Sequence, residues 1–135
     1  MIKNIFKKKI FKDKRGLIAD IIYNDKINHI AYITTKKNGI RGNHYHKKTI
    51  QYTFVLDGII KYYLKKKSGK KISQFTLKKG DLIKTKFNEI HAFKTLSKKS
   101  IMLALTVGIR GGKDYEKDTF RVNSIIVKWK EMKLE

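Results

Sequence analysis

Three histidines carry the chemistry this sequence can offer. His44 and His46 stand two residues apart in Gly42-Asn43-His44-Tyr45-His46. A strand there sends both imidazoles to one side and Tyr45 to the other, because successive side chains alternate between faces. Gln51 follows, and then Gly58. A second segment starts at Gly80-Asp81, has the length of a strand, turns at Asn88 and returns with His91. The two spacings are His-x-His-x4-Gln-x6-Gly and Gly-Asp-x9-His. Imidazole titrates at about 6.5, so such a cluster can take and return protons near neutrality, or, as neutral rings, hold a divalent metal. Gln51 weighs against the metal, since a neutral amide is a poorer ligand than a carboxylate and leaves the cation uncompensated. His29 lies outside both spacings and reads as a surface or packed residue.

Strands must position this cluster. Apolar residues alternate or cluster in short β-branched and aromatic runs over 17–23, 29–35, 51–56, 59–64, 72–77, 90–96, 101–107 and 120–127, and each has the pattern of a strand. Between them Asn38-Gly39, Asp57-Gly58, Ser68-Gly69, Lys79-Gly80 and Gly111-Gly112 signal turns, at the spacing of an antiparallel sandwich or barrel. Asp57-Gly58 has the signature of a two-residue hairpin. The first eleven residues alternate lysines with Ile and Phe, and read as a strand pairing with a partner subunit, a basic amphipathic helix being the alternative. The polar stretch 110–118, with its glycine pair, could close over the site and bring Tyr115 to a base or sugar. The expected fold class is all-β, one small antiparallel barrel over residues 1–135.

Taken together, the two spacings resemble the two motifs of the cupin superfamily, jelly-roll barrels (double-stranded β-helices) that gather three histidines and usually a glutamate. Within it, Arg41-Gly42-Asn43-His44-Tyr45-His46-Lys47, Gln51 and Asp13-Lys14-Arg15-Gly16-Leu17 look like the nucleotide-sugar cupins. These RmlC-like enzymes include dTDP-4-keto-6-deoxyglucose 3,4-ketoisomerases and dTDP-4-dehydrorhamnose 3,5-epimerases of surface-polysaccharide synthesis. The epimerases typically have Gln where this chain has His46, which favours the ketoisomerase, as does Gln51. Tyr32 precedes His44 by the spacing of the ketoisomerase active-site tyrosine. Tyr45, by contrast, is similar to the epimerase run, and zinc-containing cupin domains of capsule-synthesis reductases share Arg-Gly-Asn-His-Tyr-His while keeping the glutamate that Gln51 replaces. Lys86-Phe87-Asn88 replaces the family's proline-containing turn, with Asn88 able to supply the left-handed residue.

The resemblance implies a cofactor-free isomerase of a dTDP-4-keto-6-deoxyhexose, a 3,4-ketoisomerase with 3,5-epimerase as the alternative, working as a homodimer. His44, His46 and Tyr32 would be catalytic. Arg41, Arg15, Gln51, His91 and Tyr115 would bind substrate, the two arginines gripping its diphosphate. Two other functions compete: a metal-dependent oxygenase or lyase held on His44, His46, Gln51 and His91, and a non-catalytic sugar-binding cupin.

Composition narrows the partners. The chain has 135 residues, 41% of them hydrophobic, and no cysteine, which excludes disulfides, thiolate zinc and a cysteine nucleophile and fits a cytoplasmic protein. The longest apolar run, 101–109, is about half the roughly 20 residues that span a bilayer, and no signal-peptide core is present, so no membrane insertion is expected. A net charge of +22 raises nucleic acid as a partner, yet only four of the 33 basic residues are arginine, the residue that phosphate and base recognition favours. With no proline and abundant Ile, Lys and Asn, the lysines read as compositional bias and no specific nucleic-acid partner is expected.

Overall fold

The alternating runs form strands that change sheet at almost every turn. A computed structural model describes residues 2–7, 10–109, 111–114 and 116–126. The strands are β1 (Ile2–Asn4), β2 (Phe11–Asp13), β3 (Gly16–Ile18), β4 (His29–Lys36), β5 (Ile40–Tyr45), β6 (Ile50–Asp57), β7 (Ile59–Lys66), β8 (Ile72–Lys78), β9 (Asp81–Thr85), β10 (Glu89–Thr95), β11 (Lys99–Val107) and β12 (Phe120–Arg121). One sheet has the order β1-β9-β6-β11-β4, the other β12-β5-β10-β7-β8, while β2 and β3 pair by themselves. From β4 to β11 only the step from β7 to β8, through Ser68-Gly69, stays within a sheet. Every other connection crosses, as in a jelly roll.

Asp57-Gly58 is therefore not the hairpin its sequence signals. Asp57 still pairs with Ile101 on β11, and the next strand leaves for the opposite sheet. Gly58 makes this corner at φ +93, where an added Cβ would lie 2.5 Å from the Lys99 carbonyl oxygen. The dipeptide specifies a residue with positive φ, and positive φ serves a corner as well as a hairpin.

The N-terminus also departs from expectation. Strand β1 pairs with β9 of its own chain, Ile2 opposite Ile83, because Ile2 packs on the core and Ile5 is buried. The helical alternative reduces to one 3-10 turn, Ile5–Lys7. Of the run 17–23 only the first two residues lie in a strand. Ala19, Ile21, Ile22 and Ile27 instead pack as irregular chain against Phe54, Leu82 and Leu105. Of 120–127, Phe120–Arg121 is strand, Val122, Ile125 and Ile126 pack beside Tyr63, Ile90 and Ala92, and Val127 lies outside the described residues.

Facing side chains of the two sheets form the core, with Val55, Ile60, Tyr62, Leu64, Leu77, Ile83, Phe93 and Met102 in one cluster. Each fully buried aliphatic side chain there is worth roughly 1.5–3 kcal/mol. Across β4, β11 and β6 the inward residues form rungs. His29, Thr106 and Gln51 make a polar rung, Ala31, Ala104 and Thr53 a narrow one, and Ile33, Met102 and Val55 an apolar one. The barrel is thus greasy at one level and wet at another.

The β5–β10 pairing contains an irregularity that matters for the site. His44 opposes His91, but Gly42, not Asn43, opposes Ala92, and Arg41 opposes Phe93. Asn43 is the extra residue of a β-bulge. Gly42 at φ +94 and Asn43 at φ +56 supply the local conformation. Arg41 and His44 are an odd number of residues apart and would face opposite sides of a regular strand. The bulge absorbs one residue and turns both inward. A Cβ at Gly42 would stand 2.6 Å from the His91 carbonyl oxygen and 3.0 Å from the Ala92 Cα, both backbone atoms. Gly42→Ala is expected to destabilise the protein by about 2 kcal/mol or more, read as a lower urea midpoint. An unchanged midpoint would show that the bulge is not held in this conformation.

Candidate active site

Both sheets contribute to a cavity of about 270 Å³ at the polar level of the barrel. His29, Ala31 and Ile33 come from β4; Arg41, Gly42 and His44 from β5; Gln51 from β6; His91 and Phe93 from β10; Met102, Ala104 and Thr106 from β11; and Arg121 from β12. The inward parity of each strand puts them there: alternate residues of β4, β10 and β11 face the cavity, and on β5 the bulge restores the parity.

The three motif histidines converge. Ring centroids are 4.9 Å apart for His44 and His46, 4.7 Å for His44 and His91, and 5.3 Å for His46 and His91. Their exposures are 9%, 1% and 0%, and one nitrogen of each lies within 4.8 Å of the others. His44 and His91 line the cavity, with His46 buried one layer back. His46 Nδ1 donates to the Asp118 carbonyl oxygen at 2.7 Å, and His91 Nδ1 donates to the Glu89 carbonyl oxygen at 3.2 Å. A carbonyl oxygen only accepts, so these contacts fix the proton of each neutral ring on Nδ1 and leave Nε2 as the basic nitrogen.

Asp118 also holds the turn after His46. Its carboxylate accepts hydrogen bonds from the backbone nitrogens of Lys47 at 3.0 Å and Lys48 at 2.8 Å, and from the Thr49 hydroxyl at 2.8 Å. Burial alone would raise its pKa, but these donors, with the His46 imidazole beside them, hold it below the usual carboxylate range. The residue is 2% exposed. It was not singled out from the sequence, where it is one acid in a polar stretch. The one available signal was an Asp shortly before an apolar run.

Gln51 is buried in the cavity wall and donates to the Thr53 hydroxyl at 3.2 Å. Arg41 reaches across to β4, with Nε donating to Thr35 Oγ1 and Nη2 to the Thr34 carbonyl oxygen, both at 2.9 Å. These anchors fix the guanidinium at the edge of the cavity. A divalent ion could find three imidazole ligands here. Bonds of about 2.0–2.1 Å would require the nitrogens to close to roughly 3.3 Å of one another, and Gln51 adds no charge.

Three site expectations are revised or fall outside the description. Tyr32 points to the outer face of β4 and is 63% exposed, opposite Leu103, while its neighbours Ala31 and Ile33 face the cavity. A shift of one residue along a strand exchanges inside for outside, so matched spacing placed the tyrosine one position from the inward site. Arg15 lies in the β2–β3 hairpin, its guanidinium 2.7 Å from Asp13 and its side chain 87% exposed, and this chain does not carry it to the cavity. Tyr115 lies outside the described residues.

Two cavity residues were missed. His29 lines the wall, its Nδ1 3.4 Å from the Thr106 hydroxyl. Arg121 opposes His44 across the β12–β5 pair and enters the cavity on the same face. The alternation His29, Ala31, Ile33 could have shown the first. Nothing in the sequence pairs Arg121 with His44.

Comparison with known proteins adds a family. Residues 11–118 match the family model described as polysaccharide biosynthesis C-terminal domain. No curated protein matches by sequence. Among solved structures the chain is similar to QdtA, a sugar 3,4-ketoisomerase from Thermoanaerobacterium thermosaccharolyticum in complex with TDP, at 22% identity and a TM-score of 0.73 over 91% of this chain and 88% of that one. It is similar to the dTDP-6-deoxy-D-glucose-3,5-epimerase RmlC from Legionella pneumophila, at 15% identity and 0.70 over 87% and 70%. It is also similar to the capsular polysaccharide assembling protein CapF from Staphylococcus aureus, at 14% identity and 0.67 over 86% of this chain but 34% of that one, so that it spans about a third of CapF.

The Asp118 contacts give a stability prediction. Asp118→Asn replaces one of the two accepting oxygens by an NH2 group that faces donors, removes the charge that all three donors share, and should cost about 1–3 kcal/mol at neutral pH. Because the folded pKa is depressed, the stability tied to the charge is present above the unfolded value of about 3.9 and is lost as pH falls through the folded value. Urea titrations of both proteins should therefore differ most near pH 7 and converge below about pH 4. A gap that stays constant with pH would rule out the charged clamp.

Proposed function

The chain belongs to the polysaccharide biosynthesis C-terminal domain family and has the cupin jelly-roll fold, and on that premise we propose that it is a nucleotide-sugar isomerase. It moves the ketone of a dTDP-4-keto-6-deoxyhexose from C4 to C3. The observation that carries this reading is the convergence of His44, His46 and His91, the first and third on the wall of a cavity edged by the guanidinium of Arg41 and His46 just behind them. The cavity, about 270 Å³, is at the small end of ligand sites. It suits one sugar ring, with the nucleotide lying outside.

The reaction needs no outside oxidant, since C4 is reduced as C3 is oxidised. His44, on the cavity wall, takes the C3 proton while the electron pair moves onto the C4 oxygen and gives an enediolate. Gln51 can donate to that oxygen. A proton passes between the two oxygens, the C3 oxygen collapses to a ketone, and C4 is protonated. His46 supplies that proton from Nε2 as the imidazolium, and the proton taken up by His44 restores it at the end of the cycle. Tyr32 on the outer face is replaced in our scheme by His91 as the relay between the oxygens. Arg41 grips the diphosphate.

We infer a cytoplasmic location from the proposed substrate class. No described helix is long and apolar enough to cross a membrane. The β2–β3 hairpin leaves Phe11, Leu17 and Ile18 exposed, and β4 shows Ile30 and Tyr32 on its outer face. We assign these apolar surfaces to a second copy of the chain, forming a homodimer. Sedimentation equilibrium should give a mass of twice 15.9 kDa, and Leu17→Glu with Ile18→Glu should shift it to one chain. A monomeric wild type would remove the dimer from this reading.

Histidine roles separate in deuterated water. His44→Asn should abolish both turnover and exchange of the substrate's C3 proton, at least 10²-fold. His46→Asn should block product while leaving that exchange measurable. Extensive chelation should leave the wild-type rate unchanged. Full turnover by His44→Asn, or loss of activity on chelation that is restored by Zn, Fe or Mn, would overturn the acid–base scheme. A product inverted at C3 and C5 with its ketone still at C4 would replace the ketoisomerase by the epimerase.

A further inference from the structure

The cavity has a second guanidinium that the scheme above leaves unused. Arg121 faces His44 directly across β12 and β5, and paired residues of antiparallel strands project to the same side. Its side chain therefore lines the same cavity as Arg41 on the neighbouring strand. Its planar fork already grips a carboxylate. Nη1 donates to Glu116 Oε2 at 2.6 Å and Nη2 to Glu116 Oε1 at 2.8 Å. This two-pronged geometry is the one a guanidinium offers to phosphate oxygens.

The pair is built to be exchanged. Both side chains are well exposed, 60% for Arg121 and 58% for Glu116, so water and salt screen the pair and no burial holds it together. Two residues on, Asp118 is buried and bonded to Lys47, Lys48 and Thr49. The segment is thus pinned beside Arg121, and Glu116 can release it by rotating its own side chain. A diphosphate carries more charge than a carboxylate and presents oxygens on two phosphorus atoms, so it can displace Glu116.

We propose that Arg121 is a binding residue for the diphosphate of a nucleoside diphosphate ligand, and that Glu116 occupies its fork until that ligand arrives. The assignment rests on the nucleotide-sugar reading of the same cavity. With Arg41 held by Thr34 and Thr35, the two forks stand on adjacent strands beside the histidines. Glu116 sets a threshold, because a weakly charged anion does not repay its displacement.

Titration calorimetry with TDP, inorganic pyrophosphate and thymidine tests this on the wild type, Glu116→Gln, Arg121→Gln and the double variant. Glu116→Gln should tighten TDP and pyrophosphate about two- to fivefold and leave thymidine unchanged. Arg121→Gln should weaken the two phosphate ligands about tenfold or more. In the Arg121→Gln background the Glu116 change should have no effect. Wild-type affinity in Arg121→Gln, a Glu116 effect that persists without Arg121, or a Glu116→Gln that binds no tighter would each overturn the inference. If Arg121→Gln fails to fold, the Glu116→Gln arm decides alone. Wild-type turnover of the keto sugar with Arg121→Gln binding normally sinks this inference and spares the isomerase. The expected binding pattern without any turnover does the reverse.

Discussion

The site depends on a single extra residue in β5. Antiparallel strands alternate strictly, and an odd spacing cannot put two side chains on one face. Arg41 and His44 share the cavity only because Asn43 is bulged out between them. The bulge needs two consecutive positive φ values, which Gly42 and Asn43 supply; glycine has no Cβ to clash, and asparagine tolerates this region better than most residues. The C-terminal segment secures it, since the Asn43 carbonyl oxygen accepts from the Val122 nitrogen at 2.9 Å and its side-chain oxygen from the Ile125 nitrogen at 3.0 Å. The chain beyond the last long strand therefore helps to hold the geometry of the first histidine.

A second constraint follows from burial. Two of the three imidazoles are at most 1% exposed, and buried polar groups are costly unless bonded. Backbone carbonyls of Asp118 and Glu89 meet this need at Nδ1 of His46 and of His91 and, in doing so, choose the tautomer. The carboxylate of Asp118 meets the same need for the backbone of the turn that follows. One residue thus connects the turn after β5, the orientation of His46 and the anchoring of the segment that bears Glu116. Structure and site are not separable at that point.

Sequence patterning revealed most of this, and the exceptions share a cause. Most strands from β4 to β11 follow from period, which is a local property, while the gathering of the two histidine motifs was implied by their resemblance to the cupin motifs. Asn88 takes the left-handed turn, at φ +60, as its type suggested. What failed required knowing which strand lies beside which. Asp57-Gly58 announces positive φ but not the sheet the chain enters next. Tyr32 had the right spacing and the wrong parity, because the bulge between it and His44 makes a residue count unreliable as a guide to facing. His29 lay outside both motifs and is brought in by its pairing with Thr106. Arg121 and Asp118 come from the far end of the chain, where only the fold makes them neighbours of His44 and His46.

The choice between proton transfer and metal chemistry turns on where negative charge is available. A divalent ion among three neutral imidazoles and the Gln51 amide would place two positive charges in the interior of a chain that already carries +22. Uncompensated charge in such a place is expensive. Asp118 is the carboxylate in electrostatic contact with His46, but its oxygens are committed to Lys47, Lys48 and Thr49. It can offset one unit of charge at His46 without ligating anything. Proton transfer asks for no more than that, since an imidazolium is a single and transient charge. A glutamate at position 51 would reverse the balance by bringing a carboxylate into the cavity wall, where it could ligate a cation directly. The neutral side chain at that position is therefore the chemical reason for preferring acid–base catalysis in a histidine cluster whose geometry alone would serve either purpose.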